Sequence, residues 1–492
     1  MGRSVEEAYS KWRSKYLRAY GDGFYVYYKE PSEGCPEMTC SEAHGYGMLI
    51  AVLKRNQQDF DGLYRYFLQW RNQKGLMQWQ QKSTKSGSFV PGDQGGQNCA
   101  TDGDVDVATA LFIAGKVWGR GGTQGEYDYH AAGCALAASI WQHCFNHDTF
   151  MPLVGDWADP GDEAYALTRP SDFILSGYLM FYYCDQERQQ IWGNVINAII
   201  NTCQAQLALN PQTGLIADFL TLDPRTKTYN PVHKEVLESK HDPDYNWNSC
   251  RVPWRLGHYY MLSKDERLLP LLQTEGQFFA NQLAKGGDEC PIRAGYKLNG
   301  KCIADYSDLA FSAPVSFLFW VLGWQQQLHQ LMRYIDEDDE CTYFGESIAM
   351  LGFLQAHRYL YTVSDGTSRP NSAPNYPSSL DVYFKWTQQN SQNIQFKAAS
   401  GLATDVMAGG NSKVYNHRWK LPNCHFFRRY MPSEWSYSLV FDPQYPDPAA
   451  NNMSKPAHAP LVPLGPKQSQ IIIPISILFN ATAMADSHHK GC

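Results

Sequence analysis

Carboxylates gather at three places in this 492-residue chain where they could act on a substrate. Glu42 lies in SEAHGYGM, at the polar start of an apolar run. Asp102, Asp104 and Asp106 crowd ATDGDVD. Glu235, Glu238, Asp242 and Asp244 come shortly before NSCRVPWR. Cleaving a glycosidic bond takes two carboxyl groups across it. One protonates the leaving oxygen and the other works on the opposite face, roughly 6.5 to 9.5 Å away in an inverting enzyme, with a water between them. Each acid also has an ordinary explanation. A carboxylate in a first helical turn is stabilised by the helix dipole and the free N–H groups, and an acidic loop is commonly a solvated surface. Three acids in five residues exceed what a helix cap needs, and the intervening Gly103 suggests a close approach of backbone.

The elements that must position these acids are helical. After ATDGDVD, Val107, Ala108, Leu111, Ala114 and Trp118 recur at helical spacing, so Ala100 to Trp118 reads as an amphipathic helix with Thr101 or Asp102 placed to cap it. Upstream, the sequence predicts a helix over 8–20, turns or a strand pair in GDGFYVYYKE, and a helix in TCSEAHGYGMLIAVLKR with Glu42 in its first turn. A helix over 59–73 follows, closed by Gly75, with Trp79 in the loop beyond. Downstream, helices are expected near 129–145, 172–185, 188–208, 254–262, 266–284, 314–332 and 346–360. TRPSDF, SCRVPW and FSAPVS read as helix starts because Pro suits the first helical position. In an array of antiparallel helix hairpins every second helix starts on the same side, so polar clusters at those starts can gather on one face. Residues 1–364 form the expected catalytic domain. SDGTSRPNSAPNYPSS marks a linker over 365–379, and 380–492, with short β-prone runs such as QIIIPISILF, reads as a smaller β-rich domain.

Composition narrows the function. A net charge of −7 with no basic run gives no support to nucleic-acid binding, and no run of 18 apolar residues spans a membrane. Aromatic residues make up 14%, a surplus that suits stacking on the apolar faces of sugars. The 13 cysteines contain no CxxC pair, which argues against zinc or iron–sulfur ligation. Cys35 with Cys40, or Cys290 with Cys302, could close short loops. These pairs and the sequons at Asn452 and Asn480 fit a secreted protein, although the opening MGRSVEEAYSKW lacks the apolar region of a signal peptide.

SEAHGYGMLIAVL, ATDGDVDVATALFIAGKVW, GDW with TRPSDF, and NSCRVPWRL occur in the order and approximate spacing of glycoside hydrolase family 8, which the chain resembles over about residues 8–360. The resemblance implies an all-α fold, an (α/α)6 barrel, and an endo-acting, inverting, metal- and cofactor-free enzyme that cleaves a β-1,4-linked glycan; a monomer whose partner is the polysaccharide is expected. Cellulose, mixed-linkage β-glucan and chitosan all remain open as substrates; for chitosan the acid-rich 235–244 loop would supply cleft carboxylates. It implies Glu42 as general acid and Asp102 as the carboxylate that binds and distorts the sugar, with Asp104 as its substitute. Many members carry the general base as an Asp three residues before the motif's Arg, where this chain has Asn248, and an amide cannot take a proton from water at neutral pH. One group in the family has this Asn and draws its base from an upstream loop. KEVLESKHDPDYNWNSCR matches that loop, with Glu238 as the base and Glu235 as runner-up. Trp79 and Trp157 resemble sugar-stacking platforms, Arg251 a holder of carboxylate or hydroxyls, and Arg169 and Asp172 structural partners, while Tyr343 closes the far end of the cleft. With Asn248 at the usual base position, a non-catalytic polysaccharide-binding protein is the alternative.

Overall fold

The computed structural model describes residues 5–28, 36–337 and 342–356, and this part of the chain is mostly helical. Among the described residues the helices are α1 (Val5–Tyr16), α2 (Ser41–Leu53), α3 (Gln57–Gln69), α4 (Thr101–Val117), α5 (Tyr129–His143), α6 (Leu175–Cys184), α7 (Gln189–Leu209), α8 (Val252–Ser263), α9 (Leu269–Leu283), α10 (Leu309–Leu322), α11 (Gln325–Glu337) and α12 (Tyr343–Ala356). The even-numbered helices pack in sequence, α2 on α4, α4 on α6, α6 on α8, α8 on α10 and α10 on α12, and α12 returns to α2. Against them lie α3 on α2, α5 on α4, α7 on α6, α9 on α8 and α10, α11 on α10 and α1 on α12. α2 and α4 are buried on nearly every side, as expected of helices that are apolar all round. α4 is therefore not the one-sided amphipathic helix its spacing suggested. Because a single return helix separates each even-numbered helix from the next, their N-termini come to one end, where the motifs lie.

Several boundaries differ from the sequence reading. The helix expected over 8–20 ends at Tyr16, and Leu17–Tyr20 turns back against Gly23–Val26 in an antiparallel hairpin. Gly21, at φ +58°, supplies the left-handed residue of its two-residue turn. The helix expected over 314–332 is two. Asp308 caps α10 by accepting from Ala310 N, so Pro314 falls inside that helix rather than at its start, and Gly323 at φ +75° ends it. Neither Thr101 nor Asp102 caps α4. The Thr101 hydroxyl donates to the Leu153 carbonyl and the Asp102 carboxylate is held by arginines. Cys302 is a thiol, so no bridge joins it to Cys290, and Cys40 is a thiol too. Cys35, both sequons, the 365–379 linker and the β-rich region expected over 380–492 lie outside the described residues.

Within the even-numbered helices, Arg255 of α8 meets Asp106 of α4 through two hydrogen bonds of 2.9 and 2.6 Å, and both side chains are buried. The guanidinium also lies 4.1 Å from the Trp254 ring centroid. Removing one partner of such a pair leaves a buried, uncompensated charge. Asp106→Ala is expected to lower unfolding stability by about 3–5 kcal/mol, measured by urea denaturation.

Candidate active site

Two glycines bring the first two motifs together. A Cβ at Gly103 would stand 2.6 Å from Ser41, and one at Gly45 would stand 2.7 Å from the Asp106 Cβ. Only Gly allows α2 and α4 to approach this closely at their starts, so the close approach suggested by Gly103 is made by the chain itself. The strand Met38–Cys40 leads into α2 and pairs with Gln80–Ser83, Cys40 opposite Gln80. Trp79 is held between the approaches to the two helices, since its carbonyl accepts from Ser41 N at 2.9 Å and its N–H donates to the Asn98 carbonyl at 2.7 Å.

Arg251 is buried just before α8 and joins three motifs. Its Nη1 donates to Glu42 Oε2 at 2.5 Å and to Asp102 Oδ2 at 2.9 Å, and its Nη2 donates to Asn248 Oδ1 at 2.9 Å. Asn248 passes the contact on, its Nδ2 donating to Glu238 Oε2 at 2.8 Å. Arg169 closes the network from the other side, 3.3 Å from Asp102 and 3.3 Å from Glu238, with Asp172 beside it at 3.1 Å. Glu42, Asp102, Asn248, Arg251 and Glu238 therefore form one connected group. The side chain of Glu42 is 19% exposed and that of Glu238 is 42% exposed, so both reach solvent from a floor that does not.

The surroundings drive the first two carboxyls apart. Burial raises Glu42 above the usual carboxylate range and the neighbouring Asp102 charge adds to the rise, against the opposing pull of Arg251 and Tyr343. Burial would raise Asp102 too, but Arg169, Arg251 and Arg255 together outweigh it and hold that carboxyl below its ordinary value. The two neighbouring carboxyls are thus shifted in opposite directions by their surroundings.

The 235–244 loop is built around Asp242. Its carboxylate accepts from the backbone N–H groups of Val236, Leu237, Glu238 and Ser239 at 2.8 to 3.2 Å. Asp244 is buried against Lys297 and His241. These two acids therefore do not line a cleft as the composition of the loop suggested; they hold the loop in shape. Glu235 is exposed and joins none of the contacts above.

Asp104 is not interchangeable with Asp102. Two helical residues advance the direction by about 200°, which puts Asp104 on the far side of α4. There Oδ1 accepts from Met77 N at 2.9 Å and burial raises the carboxyl well above its ordinary range. Tyr343, expected at the far end of the cleft, lies against Glu42. Its hydroxyl donates to Glu42 Oε1 at 2.5 Å, at the centre of the cluster. Trp157 is 36% exposed, and its neighbour Asp156 accepts from Cys99 N at 2.7 Å, which ties that loop to the start of α4. The sequence reading missed Trp247, 37% exposed and adjacent to Asn248, with its ring 5.2 Å from that of Phe311. An indole beside the Asn–Arg motif was the available signal.

Two partly exposed carboxyls, Glu42 and Glu238, joined through Arg251 and Asn248 in a mostly helical fold, are groups of the kind that glycosidic bond hydrolysis needs. The chain belongs to glycosyl hydrolases family 8, whose description matches residues 3–263. It is 36% identical over 324 residues to a beta-glucanase of Niallia circulans, covering 64% of this chain and 74% of that protein. It is 27% identical over 381 residues to endoglucanase A of Acetivibrio thermocellus, covering 76% and 74%. The apo structure of a beta-1,3-1,4-glucanase from Paenibacillus sp. X4 superposes with a TM-score of 0.64 at 30% identity, over 72% of this chain and 90% of that one. A cold-adapted family 8 xylanase, at 17% identity and a TM-score of 0.60 over 72% and 89%, shares the fold.

Proposed function

We propose that the protein is an endo-acting, inverting hydrolase of β-1,4-linked glucan, cellulose or mixed-linkage β-glucan, acting as a monomer outside the cell on an (α/α)6 barrel. The closed succession of even-numbered helices with partners against them supports the barrel. In this reading Glu42 protonates the leaving glycosidic oxygen and Glu238 takes a proton from the attacking water. Asp102 stays charged against the sugar at the cleavage point. Asn248 is not the base. It carries one of the donors that hold Glu238, with Arg169 on the other oxygen. Trp79, Trp157 and Trp247 offer stacking faces for successive sugar rings. Among the described residues no helix is long and apolar enough to cross a membrane.

The observation that carries the proposal is the hydrogen-bonded chain Glu42, Arg251, Asn248, Glu238, which sets two partly exposed carboxyls around one floor. The names of the beta-glucanase and beta-1,3-1,4-glucanase relatives favour glucan. Asp242 is engaged by backbone N–H groups of its own loop and Asp244 by Lys297 and His241, so these two acids are not free to hold a cationic glycan such as chitosan. Reducing-end release on lichenan, carboxymethyl cellulose, chitosan and xylan tests this. Turnover on lichenan or carboxymethyl cellulose is expected to exceed that on the other two by at least about tenfold, a difference of about 1.4 kcal/mol in transition-state binding. Preference for chitosan or xylan would reject the substrate assignment, and retention on polysaccharide without new reducing ends would mark a binding protein.

A further inference from the structure

The catalytic proposal requires Asn248 to stay where it can hold Glu238, and one buried residue outside the recognised motifs is hydrogen-bonded to the turn that carries it. Asp218 lies between α7 and the short strand Leu220–Leu222. Its Oδ1 accepts the backbone N–H groups of Asn246 at 2.9 Å and Ser249 at 2.7 Å, and its Oδ2 accepts that of Asn248 at 3.1 Å. Three donors from four consecutive residues thus converge on a single carboxylate. Its neighbours bind the same region. Ser249 Oγ donates to the Ala217 carbonyl at 2.7 Å, Asp218 N donates to the Asp244 carbonyl at 2.7 Å, and Phe219 N donates to the Asp242 carbonyl at 3.1 Å. Residues 217–219 therefore grip both the loop that carries Glu238 and the turn that carries Asn248.

We infer that Asp218 is a positioning residue for hydrolysis, which fixes the 246–249 turn so that Asn248 can bridge Arg251 and Glu238. This inference rests on the assignment of Glu238 as base. Asp218 is 3% exposed and all its contacts described above are with the backbone, so it acts through Asn248 rather than on the sugar. The carboxylate suits the task because it accepts on both oxygens. An amide of the same shape turns one of them into a donor aimed at N–H groups, and displacing a catalytic group by about 1 Å can cost on the order of 10²-fold in rate.

The test is a double-mutant cycle in the full chain on lichenan, or on the panel substrate turned over best, with D218N, N248A, the double variant and E238Q assayed together. D218N is expected to lower kcat by about 10²-fold while KM moves by less than about threefold. The double variant should lose no more than the worse single variant, because the two residues act as one unit. A merely structural role would instead multiply the losses. D218S, which keeps one acceptor, takes the place of D218N if the latter does not melt cooperatively. D218N within threefold of the wild-type kcat, multiplying losses, or failure of both substitutions to fold would overturn the inference. Full activity of E238Q would overturn the base assignment on which it rests, whereas an inactive E238Q beside an active D218N would overturn the inference alone.

Discussion

Glu42→Gln is expected to cut kcat/KM by about 10²–10⁴-fold, the usual contribution of a positioned general acid. The amide is nearly isosteric and can still meet Arg251 and Tyr343, so the loss reports the missing proton rather than a collapsed site. The pH dependence has a definite sign. A general acid works only while protonated, so activity falls as pH rises through the pKa of Glu42. Burial raises that value and therefore extends activity towards neutral pH. Tyr343 donates to the Glu42 carboxylate and favours its charged form. Tyr343→Phe should consequently move the alkaline limb of the kcat/KM profile to higher pH. An unmoved limb, or a downward shift, would contradict the assigned role of the Tyr343 hydroxyl.

Glu238→Gln is expected to produce a loss of similar size, about 10²-fold or more, while Glu235→Gln stays within about twofold of wild type. The two glutamates lie three residues apart in one loop and differ in what they touch. Glu238 is held by Arg169 and Asn248, whereas Glu235 projects into solvent. Steady-state kinetics on the best panel substrate decide the matter, and an inactive Glu235→Gln with an active Glu238→Gln would move the base to Glu235.

Much of the placement of the candidate site was legible because helix geometry is local. Glu42 and Asp102 sit at helix starts that the sequence marks plainly, and their arginine partner follows from the NSCRVPWR motif. The inequivalence of Asp102 and Asp104 was available from the same geometry. Residues 102 and 106 share a face of α4, and residue 104 does not. Contacts made only by the folded chain were not available. No local pattern tells that Asp242 would gather four backbone N–H groups, or that Tyr343 would reach back some 300 positions to Glu42. Asp218 was invisible for the same reason, since its partners are backbone groups about 30 residues away. Pro314 misled because proline marks a helix start only statistically, and here the cap at Asp308 begins the helix earlier.

The arrangement is most directly tested by the anomer released first. If Glu42 protonates the leaving oxygen while Glu238 activates a water on the opposite face, early proton NMR spectra of the products from a β-linked glucan must show the α-anomer accumulating before mutarotation. First appearance of the β-anomer would mean net retention and would contradict the pairing of Glu42 with Glu238.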